Sequence, residues 1–363
     1  MRHSAPVLPN LPRRQSLVAQ VAQCLCEGIR AGQWKGHLPG ERELSAQLQV
    51  SRPTLRAALE AMQRNGWVEV AARHRRRIKA RPSLAQGRER KKQVAILSAI
   101  SFLAMPPAVM FVIDALRNQL LGLGFSTEFH VNPGCFSARP ERALERLQRR
   151  SPAAVWVVCG SKEPMQRWFI RRRISCVVMG SGAPATTLAS VDADHRATCR
   201  HAGVMLRRKG HRQFALVLPR DAYGGDVNSE TGLREALAAS PGTGSVHVLR
   251  HDGSTANLCA LLDRVLQLPE PPTAFLVARA VNALTVMMHL MRRQKRIPGE
   301  IAVISRDDDP VLQSCTPAMA RYRIDPVQLA RRLAAAVRQA IEIGAPAARS
   351  VRLMPKFVPG ETV

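Results

Sequence analysis

The chain is short of acid. It sets 27 Asp and Glu against 54 Lys and Arg, which leaves a formal charge of +27 over 363 residues. A field of that sign draws polyanions, so nucleic acid is the first partner the composition suggests. Paired cysteines are lacking too. Eight thiols lie far apart, and even Cys24 and Cys26 point to different sides of a helix, so no metal or disulfide framework is expected. The first fifteen residues, MRHSAPVLPNLPRRQ, have no apolar stretch of the kind a secretory leader needs, and a cytoplasmic chain with reduced thiols is expected. A single long uncharged run, the 20 residues from Val94 to Ile113, has the length of a membrane span. Pro106, Pro107 and two serines interrupt it, and a buried strand, a loop and the start of a helix account for it better. Catalytic signatures are absent. There is no phosphate-binding Walker loop, no Gly-x-Ser-x-Gly elbow and no His-Glu-x-x-His, and Gly180-Ser181-Gly182 lacks the rest of a nucleotide fingerprint. No cofactor is expected.

What remains is an ordinary globular composition, 46% hydrophobic and 22% charged, at a length that implies two or three domains. The charge is uneven. Residues 1–92 hold 19 of the basic residues and 6 of the acidic ones, and the rest of the surplus is spread over a much longer stretch.

Within residues 12–80 the pattern is helical. Leu17, Val21, Cys24, Leu25 and Ile29 recur at helical spacing before Gly32. A short second helix spans Glu41 to Leu48, and a third follows the Gln49-Val50 turn. Ser51 can cap it, Pro53 sits where a missing N–H costs nothing, Gly66 closes it, and Leu55, Leu59 and Met62 form its inner stripe. Arg52 and Arg56 stand four apart on the other side, a like-charge pair that an anionic partner would relieve. Two short helices joined by a tight turn, with Arg52, Thr54 and Arg56 opening the second, fit a helix-turn-helix whose N-terminal end enters the major groove. Beyond Gly66, Trp67 to Val70 reads as a strand and Arg73, His74, Arg75, Arg76 and Arg77 as the turn of a wing, resumed at Ile78. The run LPGERELSAQLQVSRPTLRAALEAMQRNGWVEV resembles the winged helix of the GntR family of bacterial transcription regulators. That resemblance implies contacts to double-stranded operator DNA from Arg42, Ser51, Arg52, Thr54 and Arg56. Wing contacts follow less directly, because the family's tip glycines are replaced here by arginines.

A basic linker, residues 81–92, leads into residues 93–363, where strands and helices alternate. Strands are predicted over Val94–Ala99, Thr127–Val131, Ala154–Cys159, Cys176–Met179, Phe214–Leu218, Val246–Leu249, Ala274–Val277 and Ala302–Ser305. Helices are predicted over Val109–Leu123, Arg142–Arg149, Ala193–Lys209, Ser229–Ala239 and Val281–Arg293, among others. Such alternation gives α/β folding with parallel sheets covered on both faces and ligands outside the carboxyl ends of the strands. Val191-Asp192-Ala193-Asp194, the run from Arg208 to Val217, and Ile297 to Ile304 leading into Asp307-Asp308 resemble the LacI-type sensor, a two-lobed fold shared with periplasmic sugar-binding proteins.

The resemblance implies an effector cleft built from Ser98, Ser101, Phe102, Ser161, Ser229, Arg279 and Asp307. Ser229 stands where family members carry a sugar-binding arginine, and Arg279-Ala280 replaces an Asn-Asp pair. Arg279 therefore suggests an anionic effector, such as a sugar acid or phosphate. The expectation is a dimeric, effector-gated regulator on a palindromic operator, with repression the more usual sign. Two alternatives stay open: a DNA-binding or architectural protein whose sensor only dimerises, and an enzyme using the inter-lobe cleft.

Overall fold

The computed structural model describes residues 17–30, 33–34, 36–64, 66–70, 76–78, 93–183, 186–239, 244–343 and 350–363. The expected wing residues Arg73, His74 and Arg75 and the basic linker fall outside them. The chain forms two compact units, residues 1–88 and 89–363.

In the first unit, α1 (Leu17–Arg30), α2 (Glu41–Gln47) and α3 (Arg52–Arg64) pack around Val21, Leu25, Leu44, Leu55, Leu59 and Met62, all buried. Cys24 faces solvent, since the buried face of α1 runs through Val21 and Leu25. The antiparallel pair β1 (Val68–Val70) and β2 (Arg76–Ile78) forms the stem of a wing. A bridge from His37 to Arg77 and the Leu38 N–H donated to the Arg76 carbonyl tie the stem to the segment before α2. Arg76 and Arg77 therefore lie in a strand, not in the turn the sequence suggested.

The second unit has two lobes. The first holds a six-stranded parallel sheet in the order β13-β7-β6-β5-β3-β4, from β3 (Gln93–Ser98), β4 (Ser126–Val131), β5 (Val155–Cys159), β6 (Cys176–Met179), β7 (Ala189–Ala193) and β13 (Ser350–Leu353). Alternate residues of one strand serve opposite cores, as a pleat with both faces covered requires. Val94 and Ile96 pack under α4 (Pro107–Gly122) and α11 (Pro326–Ile343). Ala95 and Leu97 face α5 (Glu141–Arg150) and α6 (Glu163–Arg171), with Trp156, Trp168 and Phe169. The uncharged run from Val94 thus holds β3, a 3-10 turn and the first turns of α4. Among the described residues no helix is long and apolar enough to cross a membrane.

The second lobe repeats the plan in the order β14-β12-β11-β10-β8-β9, from β8 (Gln213–Pro219), β9 (Ser245–His251), β10 (Ala274–Val277), β11 (Ala302–Ser305), β12 (Ala320–Arg323) and β14 (Lys356–Val358). Only β14 runs antiparallel. Its helices are α7 (His195–Arg208), α8 (Gly224–Ala238), α9 (Thr255–Leu266) and α10 (Ala280–Arg292). The chain crosses between lobes three times, after β7, β12 and β13. The Asp194 N–H donates to the Leu353 carbonyl at 2.8 Å and ties two of the crossings together.

Candidate functional site

The first unit offers the N-terminal end of α3. The Ser51 Oγ accepts from the Thr54 N–H at 3.3 Å and lies 2.7 Å from the Thr54 Oγ1, so Ser51 caps the helix and orders its first turn. Arg42 and Arg52 are exposed and hold no carboxylate among the described residues. Arg56 is different. Its Nε donates to Glu41 Oε2 at 2.7 Å, and this contact lowers the Glu41 pKa. Arg76 is withdrawn further: with its side chain 15% exposed, it sits 3.6 Å from Glu41 and donates to Gln63. Arg77 stays exposed beside Glu69. Of the expected basic contacts that are described, Arg42, Arg52 and Arg77 present free or loosely paired guanidiniums. Arg76 braces the wing against α2 and α3.

The cleft of the second unit is lined by the carboxyl ends of both sheets, where parallel α/β sheets place ligands. At its centre is a four-charge cluster. Arg279 donates through Nη1 and Nη2 to the two oxygens of Asp226 at 3.1 and 3.0 Å. Arg306 donates to Asp226 and to the Ser229 Oγ, both at 2.9 Å, and through Nε and Nη2 to the two oxygens of Asp307 at 3.1 and 3.0 Å. The Arg279 N–H closes the ring on Asp307 Oδ2 at 2.7 Å. This last bond helps hold Arg279 at φ +68, a left-handed conformation that costs a side-chain-bearing residue about 1–3 kcal/mol.

The cluster is neutral as a whole and its members reinforce one another. Burial alone would raise the pKa of Asp226 and Asp307, but Arg306 and then Arg279 outweigh it and hold both carboxyls below the ordinary range. Burial alone would likewise lower the Arg306 pKa, and Asp307 and Asp226 raise it instead.

These contacts change three expectations. Arg279 is not a free cation awaiting an anion, because Asp226 already engages both its outer nitrogens. Ser229 is fully buried; its hydroxyl donates to the Gly225 carbonyl at 2.8 Å and accepts from Arg306, so it anchors a guanidinium instead of lining open space. Phe102 is turned onto the first-lobe core, edge-on to Phe129 with ring centroids 5.9 Å apart. Of the other expected residues, Ser98 accepts from the Ile100 N–H, Ser161 accepts from the Gln166 amide, and Ser101 is exposed at the head of the 3-10 turn.

A second polar group joins Ser181 and Asp192 of the first lobe to His195 at the start of α7. The Ser181 Oγ donates to Asp192 at 2.7 Å, and His195 Nε2 lies 3.4 Å from the same carboxylate. Burial pushes the Asp192 pKa up, but His195 and Ser181 overcome it and the net shift is downward. The lobes meet here. Asn228 reaches Ser181 at 3.5 Å, Lys162 lies 3.4 Å from Asp221, and a Cβ on Gly224 would come within 2.6 Å of the Gly182 carbonyl. A Cβ on Gly225 would meet His195 at the same distance. Gly224 is thus needed for close approach between lobes, and Gly225 for the packing of α8 against the start of α7.

Asp226, Arg306, Asp192 and His195 were not anticipated. Arg306 directly precedes the one acidic position singled out, which was the available signal for it. Asp226 lies in the first turn of α8, ahead of where the helical pattern starts.

Comparison with known proteins agrees with both units. Residues 17–78 match the family model of bacterial regulatory proteins of the gntR family, and residues 204–363 match the periplasmic binding protein-like domain. The chain joins a gntR-family domain to a periplasmic binding protein-like domain. Among curated proteins, it is 30% identical over 144 residues to the HTH-type transcriptional regulator CelR of Thermobifida fusca, covering 38% of this chain and 41% of that one. It is 42% identical over 72 residues to the HTH-type transcriptional repressor NanR of Klebsiella aerogenes, covering 19% and 27%. The matched segments thus span less than half the length of these curated relatives. Among solved structures, the complex of the regulator CelR with cellobiose aligns at a TM-score of 0.64 and 19% identity over 90% of this chain and 100% of that one. A LacI-family regulatory protein from Chloroflexus aggregans aligns at 0.65 and 17% identity, covering 75% and 98%. At these identities the alignments establish the two-lobed fold.

Proposed function

We propose that this protein is a transcription regulator that holds a palindromic operator in double-stranded DNA as a homodimer and releases it when a neutral, carbohydrate-like effector enters the cleft. The observation that carries the DNA reading is the capped, exposed N-terminal turn of α3, with Arg52 holding no carboxylate among the described residues and Thr54 ordered by Ser51. Such a turn can place a guanidinium against a guanine edge while backbone contacts set the register. Both matched curated relatives are regulators by name, and one is a repressor. That supports a regulator over an enzyme, and repression over activation.

The effector's charge follows from the cluster of Arg279, Arg306, Asp226 and Asp307. With each guanidinium matched to a carboxylate, an anion gains no uncompensated cation. Hydroxyl groups can still donate to Asp192 and Asp307 and accept from Arg279, whose side chain is 34% exposed. The dimer reading rests on α10, where Val281, Met288 and Met291 form an exposed apolar stripe, 64%, 60% and 47% accessible. A dimer places half-sites whole helical turns apart. The test is anisotropy titration of the full chain on its selected operator, with neutral disaccharides and sugar acids added in parallel. Release by a neutral sugar supports the reading, and release by acids alone refutes the charge argument.

A further inference from the structure

The first lobe carries a second basic surface that the winged helix does not account for. It lies on α5 and α6, the two helices covering one face of the first-lobe sheet. Arg139, Arg142, Arg146, Arg149, Arg150 and Arg173 are all exposed and hold no carboxylate among the described residues. The acids nearby are already engaged, Glu141 by Arg171 at 3.5 Å and Glu145 by Arg172. Elsewhere in the unit many arginines are spent on internal partners, as Arg196 is on Glu235, Arg293 on Asp263, and Arg321 and Arg323 on Asp308. Six unpaired guanidiniums thus gather on and beside these two helices, although exposed arginines such as Arg208, Arg264, Arg331 and Arg332 also occur elsewhere in the unit.

Its geometry favours one kind of polyanion. Arg142, Arg146 and Arg149 follow i, i+4, i+7 spacing, so they form one stripe along α5 and flank a shallow groove with Glu145. From Arg142 to Arg150 the stripe runs about 12 Å at 1.5 Å per helical residue, which is the rise of about three to four base pairs at 3.4 Å each. The aromatics of this face, Trp168 and Phe169, are buried, so it offers no platform on which unpaired bases could stack. Guanidiniums without stacking rings suit the phosphates of a duplex.

We propose that the α5–α6 face is a second, sequence-independent binding surface for double-stranded DNA. It adds phosphate contacts to those of the winged helix, and it strengthens binding to any duplex while leaving the choice of operator to α3. The choice of DNA as its occupant rests on the reading of the first unit.

The test uses the full chain and a random-sequence duplex, titrated at several salt concentrations. Each phosphate contact contributes about −0.9 to the slope of log K against log salt. Replacing Arg142, Arg146, Arg149 and Arg150 together by Gln should make the slope shallower by about 3.6, and the operator-to-random affinity ratio should stay unchanged. A control that removes the same charge elsewhere, at exposed Arg208, Arg264, Arg331 and Arg332, should change the slope by less than about 1. Equal changes in the two variants would reduce the effect to net charge and overturn the proposal, as would no change in either. A single strand bound as tightly as the duplex, with the same dependence on these arginines, would also overturn it. Failure of the unmodified chain to prefer any operator would refute the DNA reading of the first unit; an unchanged slope with operator preference intact refutes only this surface.

Discussion

Replacing Asp226 by Asn probes the cleft cluster with almost no change of shape. The Asp226 side chain is 1% exposed and accepts from Arg279, Arg306 and the Tyr223 N–H, so an amide there leaves two guanidiniums facing a single carboxylate. Removing one partner of a buried ion pair costs about 3–5 kcal/mol. The amide keeps one acceptor oxygen, which puts the expected loss near the lower bound, about 3 kcal/mol. For a unit of this size that is a fall of about 5 °C in the sensor's melting temperature.

The acid limb should change as well. Asp226 and Asp307 both have pKa values depressed in the fold, so their stabilisation is complete above the ordinary carboxyl value near pH 4 and is lost as the pH falls through the folded-state values. The Asn variant lacks one of these protonation steps, so its stability should decline less steeply below about pH 4. Its uncompensated positive charge should also give the cleft a measurable affinity for a sugar acid such as glucuronate. Calorimetry from pH 2 to 7, with isothermal titration against glucuronate and its neutral parent sugar, reads all three effects. A loss under about 1 kcal/mol with an unchanged acid limb would refute the reasoning.

Other substitutions separate roles the sequence had grouped together. Arg52→Ala should weaken operator binding about tenfold to a hundredfold and relax preference at one base pair, read by anisotropy on single-base operator variants; uniform weakening across all sequences would contradict base readout. Arg76→Ala should lower the melting temperature of the first unit, because that side chain braces the wing against Glu41 and Gln63, while Arg77→Gln should leave it unchanged. If both melt alike by circular dichroism, the bracing role is wrong. Gly232→Ala would place a Cβ 2.0 Å from the Arg196 carbonyl, where α7 and α8 touch, and should cost about 3 kcal/mol in urea unfolding. A loss below about 1 kcal/mol would show that the two helices can part there.

The fold could be read from strand patterns wherever both faces are buried. Ala274–Val277 and Ala302–Ser305 emerge with the boundaries their apolar runs indicate. Four short strands that hold an Asp, Arg or Lys escaped, whereas Thr127–Val131, with Glu128 and His130, was read. In β12, Ala-Arg-Tyr-Arg, Arg321 is 7% exposed and is tolerated because Asp308 lies 2.6 Å away, a partner that no local pattern reveals. The segment from Ala189 to Ala193 carries Asp192 near its end, and that carboxylate is stabilised by His195, Ser181 and the Ala193 N–H.

The site followed the same rule. The capping of α3 is a local interaction, and Ser51, Thr54 and Pro53 signal it within four residues. The cleft cluster joins residues up to 80 positions apart, and its charge balance depends on Asp226, which follows Gly224 at the lobe contact and Gly225 against α7. Arg279 is conspicuous in the sequence, but its meaning changes once its partner is known.

Genome-fragment selection by the purified full chain, with and without a pool of neutral saccharides, tests the account most directly. The account predicts one palindromic motif whose recovery falls when the pool is present. Broad recovery without a motif, or a motif unaffected by every neutral fraction, would contradict it.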